Sequence, residues 1–166
     1  MATIALNGTP IHTVGMLPET GKPAPDFLLT KTDLSDISLS DFAGKKIILN
    51  IFPSLDTAVC AMSVRKFNAE AEKLPGTVVL CVSKDLPFAH NRFCAAEGLT
   101  NVVPASALRN DKFGSDYGLM ISDGPLAGLF SRAIVVVDEK GSVIYSEQVP
   151  DIVKEPDYVA ALASLK

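Results

Sequence analysis

Lys46-Ile47-Ile48-Leu49-Asn50-Ile51-Phe52 is an almost unbroken apolar run. It lacks the polar alternation of a half-exposed strand and reads as a strand covered on both faces. Pro53 ends it, because proline brings no amide hydrogen to a ladder. A helix is expected next, from about Thr57 to Leu74. Val64, Phe67, Ala71 and Leu74 fall at helical spacing there, and Pro75-Gly76 stops it. Thr77 to Ser83 is a second buried strand. Asp85 is then expected to cap another helix, with Pro87 in its first turn and Gly98 just past its end. Leu86, Ala89, Phe93 and Ala96 are expected to form its buried face, and Val102-Val103-Pro104 is a short third strand.

Outward from this unit the pattern is simpler. Asn7-Gly8 within Ala5 to Ile11 signals a hairpin, with Pro10 keeping its second strand at an edge. Asp26 to Thr30 reads as a short strand and Leu39 to Phe42 as a helical turn closed by Gly44. Downstream, Asp111 to Tyr117 is a helical turn leading into a glycine-rich loop. Ala133 to Val137 and Ser142 to Ser146 form a hairpin, and a last helix spans about Pro156 to Leu165. Alternating β and α units with right-handed crossovers give a mixed sheet flanked by helices. This is the α/β arrangement of the thioredoxin-like class, with an extra hairpin at the N-terminus.

The 166 residues make one domain of ordinary size, expected over 1–166, and are 48% apolar and 20% charged. Such a chain buries a sufficient core without disulfide or metal staples. Fifteen basic against 19 acidic residues leave a net charge of −4, which argues against a nucleic-acid binder. Mean hydropathy is high at +0.27, yet no apolar run approaches the length of a membrane span. The first residues show no signal peptide, so a cytoplasmic location is expected.

Cys60, Cys81 and Cys94 form no C-x-x-C pair, which disfavours a zinc ribbon and a dithiol motif. Cys60 falls in the first turn of its helix, where unpaired amides and the positive end of the dipole favour a thiolate. An ordinary thiol is only about 3% ionised at neutral pH, so such help matters. Thr57, three residues earlier, can reach over the helix start or serve as a simple N-cap. Cys94 lies in the last turns of its helix, where carbonyl dipoles disfavour an anion. Position therefore makes Cys60 the attacking sulfur and Cys94 its partner, with His90 one turn away from Cys94. Cys81 reads as a buried, inert side chain. His12 and His90 read as surface or satisfied histidines, and no metal or cofactor motif is present. Read alone, Arg132 is a solvated charge at a strand start.

Pro53-Ser54-Leu55-Asp56-Thr57-Ala58-Val59-Cys60 matches the P-x-x-x-T-x-x-C motif of the peroxiredoxins. Asn50 to Cys60 with Ser63 to Asn68, Asp85 to Ala89, and Arg92 to Leu99 resemble the bacterial thiol peroxidase subfamily. Ser122 to Leu126, Gly128-Leu129, Arg132-Ala133 and Glu155 to Tyr158 resemble it as well. Met62 departs by its bulk, one turn along from Ala58. The resemblance implies a thioredoxin-dependent peroxidase of the atypical two-cysteine kind, acting on hydrogen peroxide and alkyl hydroperoxides. Cys60 would attack the peroxide and become a sulfenic acid. Thr57 and the Cys60 amide would hold the peroxide oxygens, Arg132 would favour the thiolate and polarise the O–O bond, and Pro53 would shield the sulfur. Cys94 would close an intrachain disulfide with Cys60, which thioredoxin would reduce.

No cofactor or metal is implied, and the subfamily's habit implies a homodimer. Phe52, Leu55, Val59, Met62 and the loop Leu119 to Phe130 are expected to line an apolar groove for substrate. Because Cys60 and Cys94 sit on separate helices, forming their bond is expected to require local unwinding wherever their Cα atoms start beyond about 7 Å. A disulfide oxidoreductase and a one-turnover redox sensor are the alternatives; the missing C-x-x-C weighs against the first, and repeated turnover with a thioredoxin system separates the second.

Overall fold

The computed structural model describes residues 1–166. Strands β1 (Thr3–Leu6) and β2 (Thr9–His12) pair antiparallel with Leu6 opposite Thr9, leaving Asn7-Gly8 as a two-residue link. Both link residues take positive φ, 51° and 83°, as a type I′ turn requires. Ile4 and Ile11 of this hairpin pack on Ile121 and Ile152, so the hairpin closes over two segments that flank the site described below.

The remaining elements are β3 (Leu28–Lys31), β4 (Asp36–Ser38), a 3₁₀ turn (Leu39–Phe42), β5 (Lys46–Ile51), α1 (Ala58–Ala71), β6 (Thr77–Ser83) and α2 (Pro87–Glu97). They continue with β7 (Val103–Ser106), α3 (Lys112–Asp116), β8 (Ala133–Val137), β9 (Val143–Gln148) and α4 (Tyr158–Ala163). Seven strands form one mixed sheet in the order β4-β3-β7-β6-β5-β8-β9. The three strands β5, β6 and β7 run parallel, joined by crossovers through α1 and α2. Antiparallel β3 and β8 extend the sheet on either side.

Strand β5 lies between β6 and β8, and helices or loops cover both of its faces, hence its apolar run. Ile47, Leu49 and Ile51 face a cluster with Phe27, Phe113 and Phe130. Ile48 faces the opposite cluster, built from Val64 and Phe67 of α1 and Ala161 of α4. Asn50 interrupts the run without breaking it, because its side-chain amide donates to Ser63 Oγ at 3.2 Å. Phe67 is fully buried and meets the Tyr158 ring edge-on at 5.3 Å. Phe67→Ala is expected to destabilise the fold by about 3–5 kcal/mol, read from the denaturant midpoint.

Helix α2 departs from expectation in two ways. Asp85 does not cap it: Leu86 takes the cap position without a side-chain bond, and Pro87 opens the first turn. The buried face is Pro87 and His90, joined by half-buried Phe93 and Cys94, while Leu86 and Ala96 are exposed. A face read one residue early is turned by about 100° on a helix. Gly98 does terminate α2 in the left-handed conformation, at φ 66°. Strand β4 was not anticipated; three residues with one buried side chain leave no periodic signal.

Candidate active site

The segment between β5 and α1 is a tight, cross-linked turn. Phe52 N–H continues the ladder onto Val82 O at 3.1 Å. Pro53 is buried, and the Ser54 carbonyl accepts from both Thr57 N–H (3.3 Å) and Thr57 Oγ1–H (3.1 Å). Thr57 occupies the N-cap position in an extended conformation, but its side chain does not cap the helix. Its hydroxyl proton is used backwards on Ser54, which leaves its oxygen free to accept. The first bond of α1 is Ala61 N–H to Thr57 O, so the amides of Ala58, Val59 and Cys60 have no acceptor in the protein. Cys60 therefore stands in a first turn whose leading donors are open.

Cys60 itself is fully buried, packed with Phe52, Leu55 and Val64. Arg132, the residue just before β8, donates from Nη1 to Cys60 Sγ at 3.3 Å and from Nε to the Ile152 carbonyl at 2.9 Å. Here the reading of Arg132 as a solvated edge charge is corrected, because it is only 1% exposed. Burying a guanidinium is costly unless an anion or several acceptors face it. No carboxylate lies within ion-pair distance of Arg132. The Cys60 sulfur is thus the bonded partner that can carry negative charge opposite it. The Ile152 carbonyl fixes the fork, and Nη2 is left without a protein partner.

Arg132 also lines a groove of about 300 Å³ with Leu6, Pro53, Thr57, Val59 and Leu129. Of the expected lining, Val59 and part of the Leu119 to Phe130 loop are present. Phe52 and Leu55 belong instead to the core beneath the groove. Leu6 of the hairpin and Ile152-Val153 after β9 were missed, since nothing in the sequence shows which distant segments meet there. A hollow of about 330 Å³ adjoins it through Ala58 and Val59, bounded by half-exposed Met62 and by Lys154.

All three cysteines are free thiols. Cys94 is half-buried on α2, and burial holds its thiol above the ordinary value. Cys81 is wholly buried in β6, where desolvation pushes it up to about 12 despite a weak contact from Asn50. His12 is a half-buried partner of Asp123, with Nδ1 2.6 Å from the carboxylate. His90 is buried and pushed down to about 4 by desolvation. Tyr158, which the sequence offers only as part of the resembling segment Glu155 to Tyr158 and without a role, donates from its phenol to Glu155 Oε1 at 3.1 Å. Its hydroxyl is raised by burial first and by Glu155 next, and its ring packs against the apolar cluster that contains Cys60.

Known proteins resemble the chain as a whole. A family model described as Redoxin covers residues 19–162. The chain is 60% identical over 165 residues to a thiol peroxidase of Mycobacterium tuberculosis (strain ATCC 25618 / H37Rv), spanning 99% of both chains. The chain belongs to the thiol peroxidases of the peroxiredoxin family. It is accordingly an enzyme, a peroxidase. A peroxiredoxin-like protein from Aquifex aeolicus superposes with a TM-score of 0.94 at 34% identity, covering 99% of this chain and 96% of that one. A thiol peroxidase from Chromobacterium violaceum superposes at 0.90 with 24% identity over 98% and 94% of the two chains, which speaks to the fold. These neighbours share the thioredoxin-like architecture expected from the order of strands and helices. No helix is long and apolar enough to cross a membrane.

Proposed function

We propose that the chain reduces hydrogen peroxide and alkyl hydroperoxides through Cys60, with Cys94 as the resolving thiol and thioredoxin as the reductant. The observation that carries this reading is the buried Arg132 guanidinium 3.3 Å from Cys60 Sγ, beside an apolar groove. The Cys60 thiolate attacks the terminal peroxide oxygen. The O–O bond breaks, the distal oxygen leaves as alkoxide or hydroxide, and a proton converts it to alcohol or water. Negative charge moves onto that leaving oxygen, and donors already in place stabilise it without reorganising. Arg132 and the open Cys60 amide are such donors, and the Thr57 oxygen accepts from the peroxide hydroxyl. Pro53 excludes water from the sulfur.

The Cys60 sulfenic acid then condenses with Cys94, forming one S–S bond and releasing one water. Reduction of that bond by a thioredoxin dithiol returns both thiols. Cys94 is half-buried and burial holds its thiol above the ordinary value, so resolution calls for a rearrangement of α2 that frees this thiol and presents it to Cys60. The shallow packing of α2, with Leu86 and Phe88 exposed, supports that rearrangement. The enzyme acts in the cytoplasm as a homodimer, over one domain spanning 1–166, and needs neither metal nor cofactor.

The test is a thioredoxin-coupled assay on Cys94→Ser. The first equivalent of peroxide is expected to disappear at the wild-type rate, and later turnovers to fail. Cys81→Ser should turn over almost normally. Steady turnover by Cys94→Ser at the wild-type rate contradicts the assignment of the resolving thiol.

A further inference from the structure

One buried polar network is untouched by this mechanism. It runs from α2 to the turn that carries Thr57. The Asp85 carboxylate accepts at Oδ1 from Ser54 Oγ–H (2.8 Å) and at Oδ2 from Leu55 N–H (2.8 Å) and Ser83 Oγ–H (2.6 Å). Ser54 in turn holds Thr57 through its carbonyl and Asp56 N–H through its hydroxyl. The single proton of Ser83 is spent on Asp85, so Ser83 Oγ can only accept from its other neighbours. These are Asp85 N–H at 3.1 Å and His90 Nε2 at 3.0 Å. His90 is thereby fixed as the Nε2–H tautomer, which agrees with its buried Nδ1 having no partner.

We propose that Asp85 is a positioning residue for peroxide reduction: it fixes the Ser54–Thr57 turn ahead of Cys60, and through Ser83 it makes that fixing depend on His90 and on a folded α2. The proposal rests on the reading of Cys60 as attacking sulfur and Cys94 as its partner. A carboxylate binding two donors of one turn holds it more firmly than neutral bonds do. When α2 unwinds to deliver Cys94, His90 leaves Ser83, and the pocket that bound peroxide loosens in the same event.

The geometry also gives His90 a pH signature. Around it lie the Phe52 ring at 6.4 Å, the Ser83 hydroxyl and, as the one charge acting on it, the Asp85 carboxylate. Within folded α2 its value is depressed to about 4 by burial; unwound, it returns to about 6.5. Its contribution to keeping α2 folded is therefore fully present above about 6.5 and declines as pH falls towards 4. Unwinding becomes about tenfold easier per pH unit over that window.

Two rates test this in the full-length chain: Cys60 oxidation, first order in added hydrogen peroxide, and disulfide formation, independent of it. Asp85→Ala is expected to slow oxidation about 10- to 100-fold, and Asp85→Asn to recover most of the loss, since the amide oxygen still serves Leu55 and Ser83. Should Asp85→Ala fail to fold, Ser54→Ala removes one link and is expected to slow oxidation several-fold. Folded Asp85→Ala oxidising at the wild-type rate overturns the proposal, as does an unaffected Ser54→Ala where Asp85→Ala cannot be made. For the coupling, His90→Gln keeps a donor for Ser83 without the titration. The ratio of wild-type to His90→Gln disulfide formation is expected to rise about tenfold between pH 7.5 and 5.5, whereas a ratio independent of pH overturns the dependence on α2. Taking the ratio cancels the falling Cys94 thiolate fraction, common to both chains. Cys94→Ser run alongside separates the two failures: if it still turns over steadily, the underlying reading has failed; if it stops after one turnover while Asp85→Ala is normal, the positioning role has.

Discussion

Cys60→Ser is expected to lose all detectable peroxide consumption while keeping wild-type stability. Serine differs from cysteine by one atom and fits the fully buried site without steric strain. Its hydroxyl still accepts from Arg132, so the guanidinium keeps a partner. What disappears is the chemistry, because an alkoxide is not accessible at neutral pH where a thiolate is. Coupled consumption of thioredoxin equivalents should fall to the rate of a protein-free control, with an unchanged melting curve. Residual turnover at even a tenth of the wild-type rate would point to another sulfur.

Arg132→Leu is expected to lower the second-order rate constant for Cys60 oxidation by about 10²- to 10³-fold, equivalent to about 2.7–4 kcal/mol of transition-state stabilisation. The substitution removes the donor 3.3 Å from the sulfur and leaves the Ile152 carbonyl without its 2.9 Å partner. Arg132→Lys keeps the charge but not the fork that bridges both acceptors, so it should lose less than leucine and remain well below wild type. Stopped-flow oxidation at several peroxide concentrations measures the constant directly. Equal rates for arginine and leucine would remove Arg132 from the mechanism.

Much of this is legible in the sequence itself. The parallel centre was readable because β5 and β6 are covered on both faces, and such strands announce themselves as apolar runs. The position of Cys60 followed from Pro53 ending a strand and a helical stripe beginning after Thr57. Side-chain destinations set by distant segments were not legible. Arg132 stands at the start of a strand, as an exposed edge charge does, and only the approach of Cys60 and Ile152 buries it. Asp85 carries the local signature of a helix cap, yet its carboxylate has stronger claims from Ser54, Leu55 and Ser83 across the sheet end. The buried face of α2 was misjudged because its key members are a proline and a histidine, which apolar counting skips.

The groove shows the same division. Pro53, Thr57 and Val59 were expected near the sulfur on sequence proximity, whereas Leu6, Ile152 and Val153 arrive from the two ends of the chain. The bridge between Ala5 and Asp151 draws those ends together, a pairing no local pattern encodes.

Trapping the sulfenic acid reads out which sulfur meets the peroxide. Cys94→Ser is treated with one equivalent of hydrogen peroxide in the presence of dimedone, and the adduct is located by peptide mass spectrometry. One adduct is expected, on Cys60, with Cys81 unmodified. An adduct on Cys81, or none on Cys60 while peroxide is consumed, contradicts the account.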